Sequence, residues 1–274
     1  TMSSNYEIRF AGSAPLDGTL VVMLHAGGKG AAGLAEADPA NVSGRAAEIA
    51  NFKAKSMTTV EVIAPHGSKA DRLLVLGLGK PKDLTAHDWL RAGGAAAAHF
   101  RSATDVVVFL DAPGLDVGGA EAADFALGIM LRAYRFDTYK TKKKDEDDKP
   151  PKRVSVTLVT KSHLDAANLL SDADAVAGGV VLARDLVNLP PNVLGPVEFA
   201  EKARELEALG VDVEILTEAE MRKLEMGALL GVAQGSARPP RIAVMQWKGG
   251  KAGEAPVAFV GKGVVFDSGG ISIK

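Results

Sequence analysis

No cysteine occurs in the 274 residues. Disulfides, thiolate metal sites and cysteine nucleophiles are excluded together, and the composition fits a reducing compartment. Aromatic rings are scarce, with 2 Trp and 3 Tyr, which argues against a carbohydrate or single-strand platform built on stacked rings. Charge of one sign is lacking as well. The 32 Lys+Arg and 34 Asp+Glu leave a formal net charge of −2, so no global basic field points to nucleic acid. The longest apolar runs, such as Ala95–Ala98 and Val106–Leu110, fall far short of the ~20 residues that span a bilayer. Thr1–Phe10, with Ser3, Ser4, Asn5 and Arg9, has no signal-peptide pattern. The expectation is a soluble, cytoplasmic chain without a membrane partner, and 47% apolar residues suffice for two domains.

Short β-branched runs alternate with longer segments of helical period, which reads as α/β. The predicted strands are Thr19–Leu24, Val60–Ala64, Arg72–Leu76, Asp105–Leu110, Val154–Val159, Val211–Leu216, Arg241–Trp247 and Pro256–Val260. Several are apolar at nearly every position, as strands buried on both faces are. The predicted helices are Gly44–Ala54, Thr85–Arg101, Gly119–Ala133, Leu164–Leu186, Pro196–Leu209 and Thr217–Leu224. Pro196 suits the first helical position, where a missing N–H costs nothing. Phe199, Ala203, Leu206 and Leu209 then share a face, and Gly210 stops the run. Thr217 with Glu220 fits a capping box.

Lys140–Arg153 carries four acids among its basic residues and no apolar anchor except two prolines, and it reads as a solvated loop rather than a nucleic-acid arm. Gly27-Gly28-Lys29-Gly30 follows a strand and could cradle an anion through backbone N–H groups, but a flexible glycine turn is the preferred account. Gly77-Leu78-Gly79-Lys80-Pro81 reads as turn chemistry. The five histidines, His25, His66, His87, His99 and His163, lack i, i+4 spacing. They offer no histidine zinc site, and His25 or His99 is expected to be partly buried and hydrogen-bonded. Arg135, Arg184 and Arg238 default to structural ion pairs.

The segment Val260-Gly261-Lys262-Gly263-Val264-Val265-Phe266-Asp267-Ser268-Gly269-Gly270-Ile271-Ser272-Ile273-Lys274 is the most informative. It is expected to begin at the carboxyl end of an apolar strand, where α/β sheets place ligands, and its glycines admit close backbone approach. Lys262 and Asp267 are an odd number apart and would face opposite sides of an unbroken strand; a bulge at the glycines brings them together. A carboxylate suits a divalent ion and can bridge two. A lysine amine binds metal only when neutral, whereas a protonated Lys274 would stabilise charge developing on a carbonyl oxygen. Against this, Asp267-Ser268-Gly269-Gly270 alone is an ordinary turn. No Walker A string occurs to make Lys262 a phosphate lysine.

Four blocks, in order, resemble the leucine aminopeptidase (cytosol aminopeptidase) family of dinuclear metallopeptidases. Leu131–Asp137 with Tyr139–Lys142 resembles the end of its first domain, and Ala183–Asn188 with Pro190 and Asn192 its interdomain segment. Met226–Val232 with Gln234–Pro240 resembles the stretch before its catalytic sheet, and Val260–Lys274 its metal-binding segment. Residues before 131 are supported mainly by their α/β pattern.

The resemblance implies a macro-like N-terminal α/β domain over 1–162, a linker helix over 163–187, and the opening part of an α/β metallopeptidase catalytic domain over 188–274. By it, Lys262 is a metal ligand, Asp267 the carboxylate bridging two divalent ions, and Lys274 the catalytic lysine. Zinc is the usual metal, with manganese or magnesium in one site. The implied reaction is release of leucine and other apolar residues from peptides with a free N-terminus, by a cytoplasmic homo-hexamer. The family's further aspartate ligand and its Asn-Thr-Asp-Ala-Glu-Gly-Arg segment do not occur in these residues. Because each zinc needs about four ligands, residues 1–274 alone are expected to be inactive and poorly soluble. The missing catalytic half would come from the same or a second chain. The competing expectation is a non-catalytic DNA-binding, regulatory or oligomerisation protein of the same fold, with Lys140–Arg153 its only local charge feature.

Overall fold

A computed structural model describes residues 6–17, 19–27, 30–100, 103–115, 117–141, 153–251 and 253–265. The chain divides into two compact units, Thr1–Leu182 and Ala183–Lys274. The first unit runs β1 (Tyr6–Ala11), β2 (Leu20–Ala26), β3 (Gly30–Ala31), α1 (Leu34–Ala37), α2 (Val42–Ile49), β4 (Thr59–Ile63) and β5 (Arg72–Gly79). It continues with α3 (Ala86–Ala97), β6 (Asp105–Phe109), α4 (Gly119–Ala133), β7 (Val154–Val159) and α5 (His163–Asn188), whose last residues belong to the second unit.

The sheet order is β1-β7-β6-β2-β5-β4, with the short β3 beside the end of β2. All neighbours from β1 to β5 pair parallel, and β4 closes one edge antiparallel to β5. Period-two alternation divides the strand residues between two apolar layers. Leu20, Val22 and Leu24 of β2 join Leu74, Leu76, Val106, Val108 and Val156 under α3 and α4, against Trp89, Phe125 and Ile129. Val21 and Met23 face the other way with Leu73, Val75 and Val107, against Ala37, Val42 and Phe52. This accounts for strands that are apolar at every position: each face has its own cover.

The strand β1 was not anticipated. Tyr6, Ile8 and Phe10 pack on the core while Glu7 and Arg9 point outward, and the strand pairs in register with β7. Helix α2 is shorter than predicted. It begins at Val42, where the buried Asp38 carboxylate accepts the N–H groups of Val42 (2.9 Å) and Ser43 (2.7 Å) and the Ser43 hydroxyl. It ends at Ile49, and Asn51 and Ala54 then take left-handed φ values of 51° and 47° that no helix accommodates. Helices α3 and α4 touch backbone to backbone. A Cβ on Gly93 would collide with the Phe125 carbonyl oxygen, and one on Gly128 with the Leu90 carbonyl oxygen.

Helix α5, 26 residues long, is long and apolar enough by length and composition to cross a membrane. Its Ala166, Ala173 and Ala177 are buried, and Asp172 and Asp174 stand in its middle. A carboxylate at a bilayer centre costs about 2.5–3.5 kcal/mol. With one side built into a core, α5 is a domain helix.

The second unit contains α6 (Pro196–Arg204), a 3₁₀ continuation Glu205–Leu209, β8 (Asp212–Leu216), α7 (Glu218–Lys223), α8 (Gly227–Ala233) and β9 (Ile242–Gln246). Strands β8 and β9 pair antiparallel, with Ala200 of α6 and Met221 of α7 buried. Pro196 stands at the start of α6, and Gly210, at φ 84°, ends the 3₁₀ turn. The tighter winding of that turn removes Leu209 from the shared face, leaving it 76% exposed. At α7 the Glu220 carboxylate accepts both the N–H and the hydroxyl of Thr217, each at 2.7 Å.

Candidate functional site

The approach to the predicted metal segment is built around Arg238. Its guanidinium donates to the carbonyl oxygens of Pro191 and Asn192, both at 3.0 Å, and reaches Glu198 Oε2 at 3.4 Å. Glu198 also accepts the Gly195 N–H at 2.9 Å, so one carboxylate caps α6 and holds the arginine. The capping hydrogen bonds, with Arg238 beside it, hold the Glu198 carboxyl below the usual carboxylate range. A Cβ at Gly195 would collide with Arg238 Nη1, so only glycine leaves room for this clasp. Arg238 is thus structural, as expected.

Pro256–Val260 is not a strand. Among the described residues no strand runs beside it, and backbone groups form a ladder only with a neighbour. Val257, Phe259 and Val260 are exposed, Val260 fully. The chain turns tightly at Gly263, where the Val264 N–H donates to the Lys262 carbonyl oxygen at 3.0 Å. The Gly263 Cα faces the Phe199 ring of α6, which a Cβ would approach to 3.1 Å. Lys262 is exposed on this turn. Asp267 and Lys274 lie outside the described residues, so the structure neither joins them to Lys262 nor separates them from it.

No group of three or more His, Asp or Glu side chains that could hold a metal ion occurs among the described residues. Lys262 is therefore a single described donor, and the described residues do not by themselves fit a two-ion site. The histidines do not complete one. His25 and His99 are partly buried as expected, but Nδ1 of each lacks a hydrogen-bond partner. His99 instead places Nε2 at 3.5 Å from Thr59 Oγ1 and Nδ1 at 3.9 Å from Glu61, whose carboxylate is held by Arg72.

The glycine turns are engaged within the fold. The Gly27 N–H donates to the Gly79 carbonyl oxygen at 2.8 Å, and the Gly77 and Gly79 N–H groups donate to Thr58 and Ala54. Gly28 and Lys29 lie outside the described residues, as do residues 142–152 of the charged loop. At the described ends of that loop, Lys140 pairs with Asp137 and Arg153 with Glu7.

Comparison with known proteins places this architecture. The model of the cytosol aminopeptidase family, N-terminal domain, matches residues 21–143, and that of the same family's catalytic domain matches residues 181–274. A probable cytosol aminopeptidase of Agrobacterium fabrum is 65% identical over 275 residues, covering 100% of this chain and 55% of the relative. One from Rhizobium etli is 61% identical over 274 residues with the same coverage, 100% and 55%. The chain thus spans about half the length of the curated relatives it matches. Among solved structures, a tomato leucine aminopeptidase mutant superposes with a TM-score of 0.72 at 21% identity, covering 89% of this chain and 51% of that one. The bottromycin maturation enzyme BotP in complex with Mn gives 0.64 at 24%, covering 83% and 44%. These two likenesses speak to the fold. With both of its domains recognised in order along the sequence, the chain belongs to the cytosol aminopeptidase family, of which it carries the N-terminal domain and the start of the catalytic domain.

Proposed function

We propose that this chain belongs to a metal-dependent aminopeptidase that releases leucine and other apolar residues from the free N-terminus of peptides. The observation that carries the reading is the catalytic-domain match over residues 181–274, the stretch that contains Lys262, Asp267 and Lys274. A fold neighbour in complex with manganese supports metal dependence. Lys262, as a neutral amine, and Asp267, as a carboxylate able to span two cations, are the proposed ligands. Two divalent ions, zinc with manganese or magnesium as substitutes, would supply Lewis acidity and an activated water when bound. Lys274 would remain protonated and hold the developing negative charge on the scissile carbonyl oxygen. Arg238 has a supporting part: it fixes the turn into α6, the helix whose Phe199 faces the backbone beside Lys262. A cytoplasmic homo-hexamer is the proposed assembly.

The test is leucine p-nitroanilide hydrolysis by the complete polypeptide of the reading frame, with metal content measured beside activity. Chelation should abolish turnover and manganese restore it. Lys262→Ala and Asp267→Asn should lose bound metal along with activity. Lys274→Ala should keep its metal while kcat falls by about 10²–10³, the range for removing one oxyanion donor. Activity that survives chelation, or a K274A enzyme as fast as its parent, contradicts the proposal.

A further inference from the structure

Lys262 stands between Gly261 and Gly263, so the backbone that carries it has little stiffness of its own. No strand runs beside this stretch among the described residues. Two other contacts restrain it. The Val264 N–H donates to the Lys262 carbonyl oxygen at 3.0 Å, closing a three-residue turn with Gly263 at its centre. The side of Gly263 that would carry a Cβ then faces the Phe199 ring, where the built atom would stand 3.1 Å from Cε1 and 3.4 Å from Cδ1. At Gly261 the same atom meets nothing within 4 Å. The two glycines beside the lysine are therefore not equivalent: one is open, and the other rests on an aromatic ring.

We propose that Phe199 is a positioning residue for Lys262: its ring seats the Gly263 turn and fixes the point from which the lysine side chain reaches. The proposal rests on the reading of Lys262 as a metal ligand. A ligand side chain works only if its support holds it to within about 0.5 Å. Lysine is long and rich in rotamers, so a fixed Cα narrows the volume its amine searches and reduces the entropy lost when the amine is held. Phe199 can give that support because it is itself held. Its N–H donates to the Gly195 carbonyl oxygen at 2.9 Å in the first turn of α6. Glu198, the residue before it, caps the same turn through the Gly195 N–H at 2.9 Å. Arg238 ties that turn to the Pro191 and Asn192 carbonyl oxygens, and Ala200, the residue after Phe199, is buried. A half-buried ring with two side-chain torsions on a capped helix is stiffer than the glycine-flanked backbone it faces. The contact also constrains position 263, because a side chain there must lift the turn from the ring or displace the ring.

The experiment compares the complete polypeptide with its Phe199→Ala, Phe199→Leu and Gly263→Val variants and with the Phe199→Ala/Gly263→Val pair, by two readouts. The first is hydrogen exchange followed by mass spectrometry on metal-free protein, which does not depend on the metal reading. The peptide carrying the Val264 amide should exchange at least about tenfold faster in Phe199→Ala, while the amides of β9 keep the parent's rate. Phe199→Leu, which keeps an apolar side chain at the seat, should restore most of the protection. The second readout is manganese affinity by calorimetry. Phe199→Ala should weaken it about tenfold and Phe199→Leu less. Gly263→Val should cost less in the Phe199→Ala background than in the parent, since the ring it strikes is gone. The proposal is overturned if Val264 exchange is unchanged in Phe199→Ala, or if β9 loosens equally, which would make the ring a support of the whole unit. It is overturned as well if the Phe199→Ala and Gly263→Val losses simply add. A parent that binds no manganese would refute the metal reading, and the exchange data would then decide the seat alone.

Discussion

Replacing Gly93 by alanine adds one methyl group where α3 and α4 cross. The built Cβ collides with the Phe125 carbonyl oxygen and lies 2.8 Å from the Phe125 carbonyl carbon and 3.2 Å from the Ile129 nitrogen. All three are helix backbone, so no side chain can rotate away and the helices must separate. Separation loosens Trp89, Phe125 and Ile129, each at most 3% exposed. Overpacking of this kind costs about 1–3 kcal/mol, and more when backbone must move. Alanine's helix propensity returns up to ~1 kcal/mol. The net expectation is a loss of about 2 kcal/mol, which for a unit of this size lowers Tm by roughly 4–8 °C. Gly178 and Gly179 of α5, with nothing within 4 Å of a built Cβ, are the control. There the same substitution should gain about 0.5–1 kcal/mol. Trp89 is 3% exposed and Trp247 is 73% exposed. In a Trp247→Phe background, fluorescence therefore reports the α3 core alone during denaturant unfolding. A Gly93→Ala chain as stable as its parent, beside an unimproved Gly178→Ala chain, would refute the crossing geometry.

Asp38→Ala removes the acceptor for two N–H groups and one hydroxyl at the start of α2. The buried donors left behind should cost about 2–4 kcal/mol by denaturant unfolding, and Asp38→Asn should cost less. At the start of α3, the Asp88 carboxylate accepts the Thr85 hydroxyl (2.7 Å) and N–H (3.0 Å), which holds its pKa below the usual aspartate value. The stability it contributes is complete above the unfolded aspartate pKa and is lost as pH falls through the folded value. NMR titration of Thr85→Val should show the Asp88 pKa rising toward the ordinary value.

Much of the first unit was legible because several of its strands are apolar at nearly every position. Tyr6–Ala11 escaped because only three alternating residues, Tyr6, Ile8 and Phe10, mark it, and its pairing partner β7 lies far along the chain. Pro256–Val260 erred in the opposite direction, since composition records a taste for strand but not whether a neighbour is present. Gly93 and Gly128 look like any helix-weakening glycines until α3 and α4 are set side by side. Lys262 stood out by its glycine flanks and the family pattern, and the structure places it on an exposed turn. The ring that faces this turn was not legible, because Phe199 and Gly263 meet only once the second unit has folded.

The central claim is that Lys262 and Asp267 grip divalent ions together. Anomalous diffraction from manganese-soaked crystals of the complete polypeptide tests it most directly. Two ion peaks are expected, one within coordination distance of Lys262 Nζ and both in reach of the Asp267 carboxylate. Crystals in which the ions bind elsewhere, while Lys262 stays in solvent as it does on the present turn, would contradict it.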